Sequence, residues 1–309
     1  MITKTVSASE SGKRLHRYLC ALMPNYPLGQ IFKLIETGKV RVNGKRKKQN
    51  YELAAGDELT LMIDEETFRA ASSAAEKKPK FSGVKADIDI VYEDDELMAV
   101  NKPAGLLTHP DRTEQKDTLI TRVHAYLYRK GALDSRLFLP ATANRLDRNT
   151  SGLLLIGKTA GALHRLNEWV KRREIGKFYI TLVHGTLHEA GEIRAGLVRD
   201  AGANRTAVSA SEEAMDAVTR YRPLQAAGGF TLVEVELESG RTHQIRSHFQ
   251  SIGHPLLGDL KYGGRPFGDI RHQLLHAWRI ELPDGRTFTA PPPALFAAAL
   301  RKLRIPPPW

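Results

Sequence analysis

Near the start of the chain, apolar residues recur at helical spacing. Leu15, Tyr18, Leu19 and Leu22 follow an i, i+3, i+4, i+7 pattern that Pro24 ends. A second helix is predicted after Pro27, with Ile31, Leu34 and Ile35 inward and Gly38 as its C-terminal cap. The period then drops to two. Val40 and Val42 alternate with Lys39 and Arg41, Asn43-Gly44 is a hairpin turn, and Leu59, Leu61 and Ile63 form a closing strand. This pattern describes two short helices packed on a small sheet.

Residues 65–83 are rich in Ala, Ser, Lys and Glu with little periodicity and read as a linker. Beyond them, Ile88, Ile90 and Tyr92 alternate with polar residues, and a turn at Asp94-Asp95 leads to the apolar run Leu97–Val100. Thr118–Arg129 reads as a helix capped by Asp117 and ended near Gly131. Leu153–Ile156 is a buried strand, and Thr159 is the N-cap of a helix carrying Leu163, Leu166 and Val170. A strand runs from Lys177 to His184. Val233, Val235 and Leu237 alternate with glutamates in a strand with one wet face. A sharp entry at Gly240 opens a helix with Thr242 as N-cap and Ile245, Phe249 and Ile252 inward. Few crossover helices separate these strands. The expected fold is therefore α+β, with a mixed, mainly antiparallel sheet following a small N-terminal α/β domain. The division expected is 1–64, a linker 65–83, and a large domain 84–309.

Composition adds direction. The 309 residues suit two domains, and 41% hydrophobic content supplies a core. Lys and Arg total 46 against 35 Asp and Glu, a net charge of +11 that suits a polyanionic partner. No stretch approaches the roughly 20 apolar residues that span a bilayer, and Met1-Ile-Thr-Lys-Thr lacks a secretory apolar region. No membrane association is expected. The single cysteine, Cys20, excludes an internal disulfide and fits a reducing cytoplasm.

Two segments concentrate charge or hydrogen-bonding groups. Lys39, Arg41, Lys45, Arg46, Lys47 and Lys48 sit on adjacent elements of the small unit and are candidates for phosphate contacts. Asn144–Ile156 runs from a polar loop straight into a buried strand. There Asp147 lies between Arg145 and Arg148, which favours its ionised form, and Thr150 and Ser151 can bond the loop backbone. The run Gly152–Thr159 spells a phosphate-loop motif, but its intervening residues are themselves the strand. A phosphate loop must follow a strand, so the motif is rejected. The consecutive acids Glu93–Glu96 point in different directions and read as a solvated turn, so no metal is expected.

Residues 12–63, with Gly38–Gly44 reading GKVRVNG, resemble the alpha-L (S4-like) RNA-binding domain of a ribosomal small-subunit protein. At the start of the second helix, Pro27–Gln30 departs from the Ser-Arg common in that family. Residues 84–290 resemble the RluA family of pseudouridine synthases through NKPAGLLTHP, RLDRNTSGLLL, KFY and LESGRTHQIRSHFQSIGHPLLGD. Asn144 stands where many members have His. The resemblance implies isomerisation of uridine to pseudouridine in structured RNA, without a cofactor. It implies Asp147 as the catalytic carboxylate, acting as nucleophile at C1′ or base at C2′. It implies that Tyr179 stacks on the base and helps remove the C5 proton, and that Arg246 pairs with Asp147. Arg145 would fill the gap left by the extruded nucleotide, with Arg148 beside it on the RNA. Large-subunit ribosomal RNA is the expected substrate, transfer RNA the second choice, and a monomer the expected state. A closed site would draw apolar walls from Leu153–Ile156 and Leu106-Leu107. Two rivals stand. A non-catalytic assembly factor would not need Asp147, Tyr179 and Arg246 together. A uracil-releasing hydrolase would need a second carboxylate.

Overall fold

The computed structural model describes residues 1–7, 10–73, 81, 83–133, 138–200, 202 and 205–307. The N-terminal unit holds β1 (Ile2–Thr5), α1 (Leu15–Leu22), α2 (Leu28–Glu36), β2 (Val40–Val42) and β3 (Glu58–Leu61). The strands pair antiparallel in the order β1-β3-β2. Leu15, Leu19, Ile31 and Ile35 pack on Val40, Leu59 and Leu61 in one core. At the hairpin, Asn43 (φ 50°) and Gly44 (φ 73°) both take the left-handed conformation that a tight two-residue turn demands. Val42 and Lys45 exchange backbone hydrogen bonds of 2.9 and 3.0 Å across it. Sequence patterning did not predict β1. Only Ile2 is half-buried there, so an edge strand with exposed neighbours leaves no alternation to read.

The segment read as a linker begins with a helix, α3 (Glu65–Ser72). Asp64 caps it by accepting from the Thr67 N–H at 2.7 Å. Ala71 is buried in the N-terminal core and Phe68 packs against it, while the Asn25 amide bonds the Ser73 carbonyl at 2.9 Å. So sparse an inward face produces no visible period. The rest of that segment, 74–80 and 82, lies outside the described residues. Phe81 and Val84 pack on Ala125 of the large unit. The two units also touch where Gly12 meets Gly161, with so little room that a Cβ on Gly12 would lie 3.0 Å from the Gly161 nitrogen.

The large unit runs β4 (Asp89–Glu93), β5 (Leu97–Lys102), α4 (Leu119–Arg129), β6 (Ala141–Thr142), β7 (Ser151–Gly157), α5 (Ala160–Lys171) and β8 (Gly176–His184). It continues β9 (Gly191–Asp200), β10 (Arg205–Val208), β11 (Met215–Ala227), β12 (Phe230–Leu237) and α6 (Gln244–Ser251). A 3-10 turn (Leu260–Tyr262), β13 (Leu275–Glu281), β14 (Thr287–Thr289) and α7 (Ala294–Leu303) follow. The sheet has eleven strands in the order β10-β9-β11-β12-β8-β13-β7-β5-β4, with β14 on β13 and β6 on β7. Among these pairings only β13 with β7 is parallel, so the mainly antiparallel sheet expected from the strand pattern is the one found.

Both faces are covered. Val100, Leu154, Val233 and Val235 meet α4 and α6 through Val123, Ile245 and Phe249. On the opposite face Leu153 and Leu155 meet Leu166 of α5, and Ile180 and Leu182 meet Phe296 and Leu300 of α7. Every residue of β7 is buried, which explains its unbroken apolar run.

Several local readings need correction. Thr118, not Asp117, caps α4, in a reciprocal box with Thr121; Asp117 instead grips Arg122 at 2.6 and 2.8 Å. Thr242 does not cap α6, because His243 occupies that position in the left-handed region, at φ 54°. Ile252 lies beyond that helix and is exposed, whereas Ile245 and Phe249 are buried. The acids at 93–96 are more than a solvated turn. Glu93 is half-buried and binds Lys158 at 2.8 Å and Lys130 at 3.0 Å, and Asp94 accepts from the Glu96 and Leu97 N–H groups. Lys158, the lysine of the rejected phosphate motif, is thus committed to an ion pair, and Thr159 caps α5.

Candidate active site

The polar loop that presents Asp147 is fastened at both ends. At its C-terminal end Gly152 adopts φ +113°, and a Cβ there would lie 2.2 Å from the Ala277 carbonyl oxygen, so only glycine lets β7 meet β13. Next to it, the Ser151 hydroxyl lies 2.9 Å from His276 Nδ1, and His276 Nε2 lies 3.0 Å from the Ala290 carbonyl. A carbonyl only accepts, so Nε2 carries the proton and Ser151 donates to Nδ1. Burial pushes the His276 pKa down to about 4. Thr150 lies 3.3 Å from the Gln273 amide. These two hydroxyls therefore bind the segment 273–276 leading into β13 rather than the loop backbone.

At the N-terminal end Asn144 brackets β7, accepting from the Leu155 N–H at 2.8 Å and donating to the Leu153 carbonyl at 3.3 Å. A second loop, Pro103–Thr108, packs alongside. Thr108 donates to the Leu146 carbonyl at 3.0 Å, and Gly105 donates to the Arg148 carbonyl at 2.8 Å. Lys102 is completely buried, and its Nζ donates to the carbonyls of Pro103, Leu106 and Arg148 at 2.8, 2.8 and 3.0 Å. Three acceptors match the three N–H groups of an ammonium. Burial pushes its pKa down to about 7, with the Asp147 charge opposing that shift. Sequence reasoning missed Lys102, because a lysine beside a proline carries no sign of total burial.

Arg246 approaches from α6. Its Nη1 lies 3.4 Å from Asp147 Oδ2, so the two groups that the motifs paired do meet. Its stronger partner is Asp259, which takes Nε at 2.6 Å and Nη2 at 2.8 Å in a two-pronged, fully buried bridge. Burial disfavours the Arg246 charge, but Asp259 and then Asp147 outweigh it and raise the pKa. The guanidinium sits 4.6 Å from the Tyr262 ring centre. Tyr262 also accepts from the Thr206 N–H at 2.8 Å and lies 2.9 Å from His243 Nδ1. The other His243 nitrogen is 3.8 Å from Asp147. Sequence reading did not find Asp259 or Tyr262, since neither falls on a helix or strand whose period would aim it at Arg246.

Tyr179 rises from β8, between β12 and β13, and closes the floor. Burial, then the charge of Asp147, raises its pKa, so the phenol is neutral at neutral pH. Together these groups line an inner cavity of about 60 Å³ walled by Leu146, Leu237, Ile245 and Leu275. Leu153–Ile156 lie in the core instead, and of Leu106 and Leu107 only Leu107 reaches the adjoining outer cleft. That cleft, about 870 Å³, carries Arg112, Arg145, Arg148, Arg199, Lys261 and Arg271 along its walls. Among the described residues Asp147 is the one carboxylate lining the inner cavity. Among the described residues no cluster of His, Cys, Asp and Glu could hold a metal ion.

Comparison with known proteins decides the family. Residues 96–251 match the RNA pseudouridylate synthase family, and residues 13–59 match the S4 domain. The chain belongs to the RNA pseudouridylate synthase family. Enzymes of this family isomerise uridine to pseudouridine. An uncharacterized RNA pseudouridine synthase of Bacillus subtilis is 33% identical, with 97% of each chain covered. Ribosomal large subunit pseudouridine synthase D of Escherichia coli K12 is 34% identical, over 86% of this chain and 77% of that protein. The fold is shared with human RNA pseudouridylate synthase domain containing 4, at a TM-score of 0.62 and 22% identity, covering 72% of this chain and 95% of that one.

Within this synthase the cations named from sequence fall in two places. Arg145 and Arg148 are exposed at the mouth of the cleft, and Arg148 donates to the Gly105 carbonyl at 3.2 Å. Lys39, Lys45, Arg46 and Lys48 are exposed on the N-terminal unit, while Arg41 and Lys47 are half-buried. Lys47 lies 4.4 Å from the centre of the Tyr51 ring. Among the described residues no helix is long and apolar enough to cross a membrane.

Proposed function

We propose that this enzyme converts specific uridines of large-subunit ribosomal RNA to pseudouridine, with Asp147 as the catalytic carboxylate. The observation that carries the reading is the Asp147 carboxylate, alone of its kind among the described residues lining a small inner cavity and met there by Arg246. The reaction breaks C1′–N1, turns the uracil, and forms C1′–C5; the C5 proton is lost and N1 gains one. A carboxylate at C1′ can attack the sugar carbon or take the C2′ proton. With no second carboxylate among the described residues of the cavity to activate water, isomerisation is favoured over hydrolysis.

The other roles follow from surroundings. Tyr179 stacks on the base; its raised pKa favours that role over a phenolate base. Arg246 holds the Asp147 charge, and Arg145, free at the mouth, takes the place of the extruded nucleotide. The N-terminal unit, through Lys39, Arg41 and Lys45–Lys48, holds the RNA by its phosphates, and residues 84–307 carry the chemistry. A monomer is the proposed state. The free thiol of Cys20 suits action in the reducing cytoplasm.

The name of the Escherichia coli relative supports ribosomal over transfer RNA. Mapping pseudouridines across total RNA with and without this gene tests the substrate. Loss of one or more pseudouridines from large-subunit RNA is expected. An intact ribosomal pattern with a transfer-RNA site missing would overturn the assignment.

A further inference from the structure

Lys177 is 8% exposed, yet among the described residues it makes no hydrogen bond or ion pair. A sheltered side chain that ends in an unpaired ammonium favours an anion in the space it faces. Lys177 lies two residues before Tyr179 on β8, so the two side chains leave the same face about 6.6 Å apart. It lines a cavity of about 380 Å³ that shares Arg145, Tyr179, Leu237, Gly240 and Arg241 with the inner cavity and meets the outer cleft at Arg145. Lys171, Arg173 and Arg241 line it too. Its single carboxylate, Glu238, is already bound to Arg220, and Lys171 has only a 3.9 Å contact with Glu168.

We propose that this cavity is a phosphate site, in which Lys177 with Arg173 and Arg241 grips a backbone phosphate beside the extruded uridine. The proposal rests on the enzyme reading above, since it supplies the RNA strand. It gives the Lys177 cation an anion, and it places RNA contacts on both sides of Arg145. The strand then enters along the outer cleft and leaves over Lys177, which fixes the register of the nucleotide that enters the inner cavity. Burial, and then Arg173, already push the Lys177 pKa down; a bound phosphate would oppose that shift.

Lys177→Met and Arg173→Gln test the site. For both, apparent KM for the RNA is expected to rise roughly 10-fold or more, as when one charge-assisted hydrogen bond is removed, and by more than turnover at saturating RNA falls. The slope of log K against log salt is expected to flatten by about 0.7–0.9. Without RNA, Lys177→Met is expected to melt no lower than the parent, because it removes a sheltered cation that has no partner among the described residues. Millimolar inorganic phosphate is expected to raise the melting temperature of the parent more than that of Lys177→Met. Unchanged KM and slope in both variants, in an enzyme that makes pseudouridine, would overturn the proposal. So would a lower melting point for Lys177→Met beside an unaffected Arg173→Gln, the mark of a structural lysine. If the parent makes no pseudouridine, the enzyme reading fails, and the salt slopes of RNA binding still decide the phosphate site.

Discussion

Arg246 is held from two sides, and the two sides are unequal. The bridge to Asp259 is short, two-pronged and buried, whereas the contact with Asp147 is a single one at 3.4 Å. Asp259 thus acts as a positioning residue that keeps the guanidinium aimed at the carboxylate. Asp259→Asn keeps the shape but removes the charge. Turnover is expected to fall roughly 10–100-fold, as when outer-shell partners of functional groups are removed, with RNA affinity largely kept. Stability is expected to fall by about 3–5 kcal/mol, the cost of stranding a buried charge. Single-turnover kinetics, filter binding and urea melts check the three effects. Asp147, Tyr179 and Arg246, expected from the family motifs, line one cavity. Lys102 and Asp259 stand in the same motifs, but nothing in their local sequence shows the bonds they make: Lys102 bonds Arg148 across 46 positions.

Among the elements, the parallel seam between β7 and β13 carries the most constraint on the site. Ser151, Gly152 and His276 close it, and His276 must stay neutral to accept from Ser151. Its native pKa of about 4 lies below the ordinary 6.5. Above pH 6.5 both states are neutral and the seam is fully stable. As pH falls from 6.5 toward 4 the unfolded chain takes up a proton that the native chain refuses, so stability drops, by about 3 kcal/mol if His276 acts alone. Urea melts at pH 7 and pH 4.5 check this, and His276→Asn is expected to lose less between them. Elements with dense apolar period, such as α1, α2 and β7, were readable from sequence. β1 and α3 were not, because each buries too few side chains to leave a pattern. The caps of α4 and α6 were misplaced by one residue: Asp117 is as able to cap as Thr118, and at α6 the left-handed His243, whose side chain makes no capping bond, stands where Thr242 was expected.

For the molecule as a whole, the division of labour between the two units is testable. α3 packs on the N-terminal core, so the deletion that respects the structure removes residues 1–73 rather than 1–64. The truncated enzyme is expected to bind RNA more weakly, with apparent KM rising more than saturated turnover falls. Its salt slope is expected to be shallower by about 0.7–0.9 for each phosphate that the N-terminal unit neutralises. Equal slopes would reduce the basic hairpin to a solvated turn. Collapse of turnover at saturating RNA would mean that the contact at Gly12 and Gly161 helps to build the active site.

The central claim is that one carboxylate in this cavity performs the isomerisation. Asp147→Asn keeps the side chain's volume and removes its charge, so fold and RNA binding are expected to persist. The decisive measurement is tritium release from RNA labelled at uridine C5, with parent and variant at equal, saturating RNA. The parent is expected to release tritium in step with pseudouridine formed, without free uracil, and the variant to release none above background. Near-normal release by Asp147→Asn, in a protein that melts and binds RNA like the parent, would contradict the account.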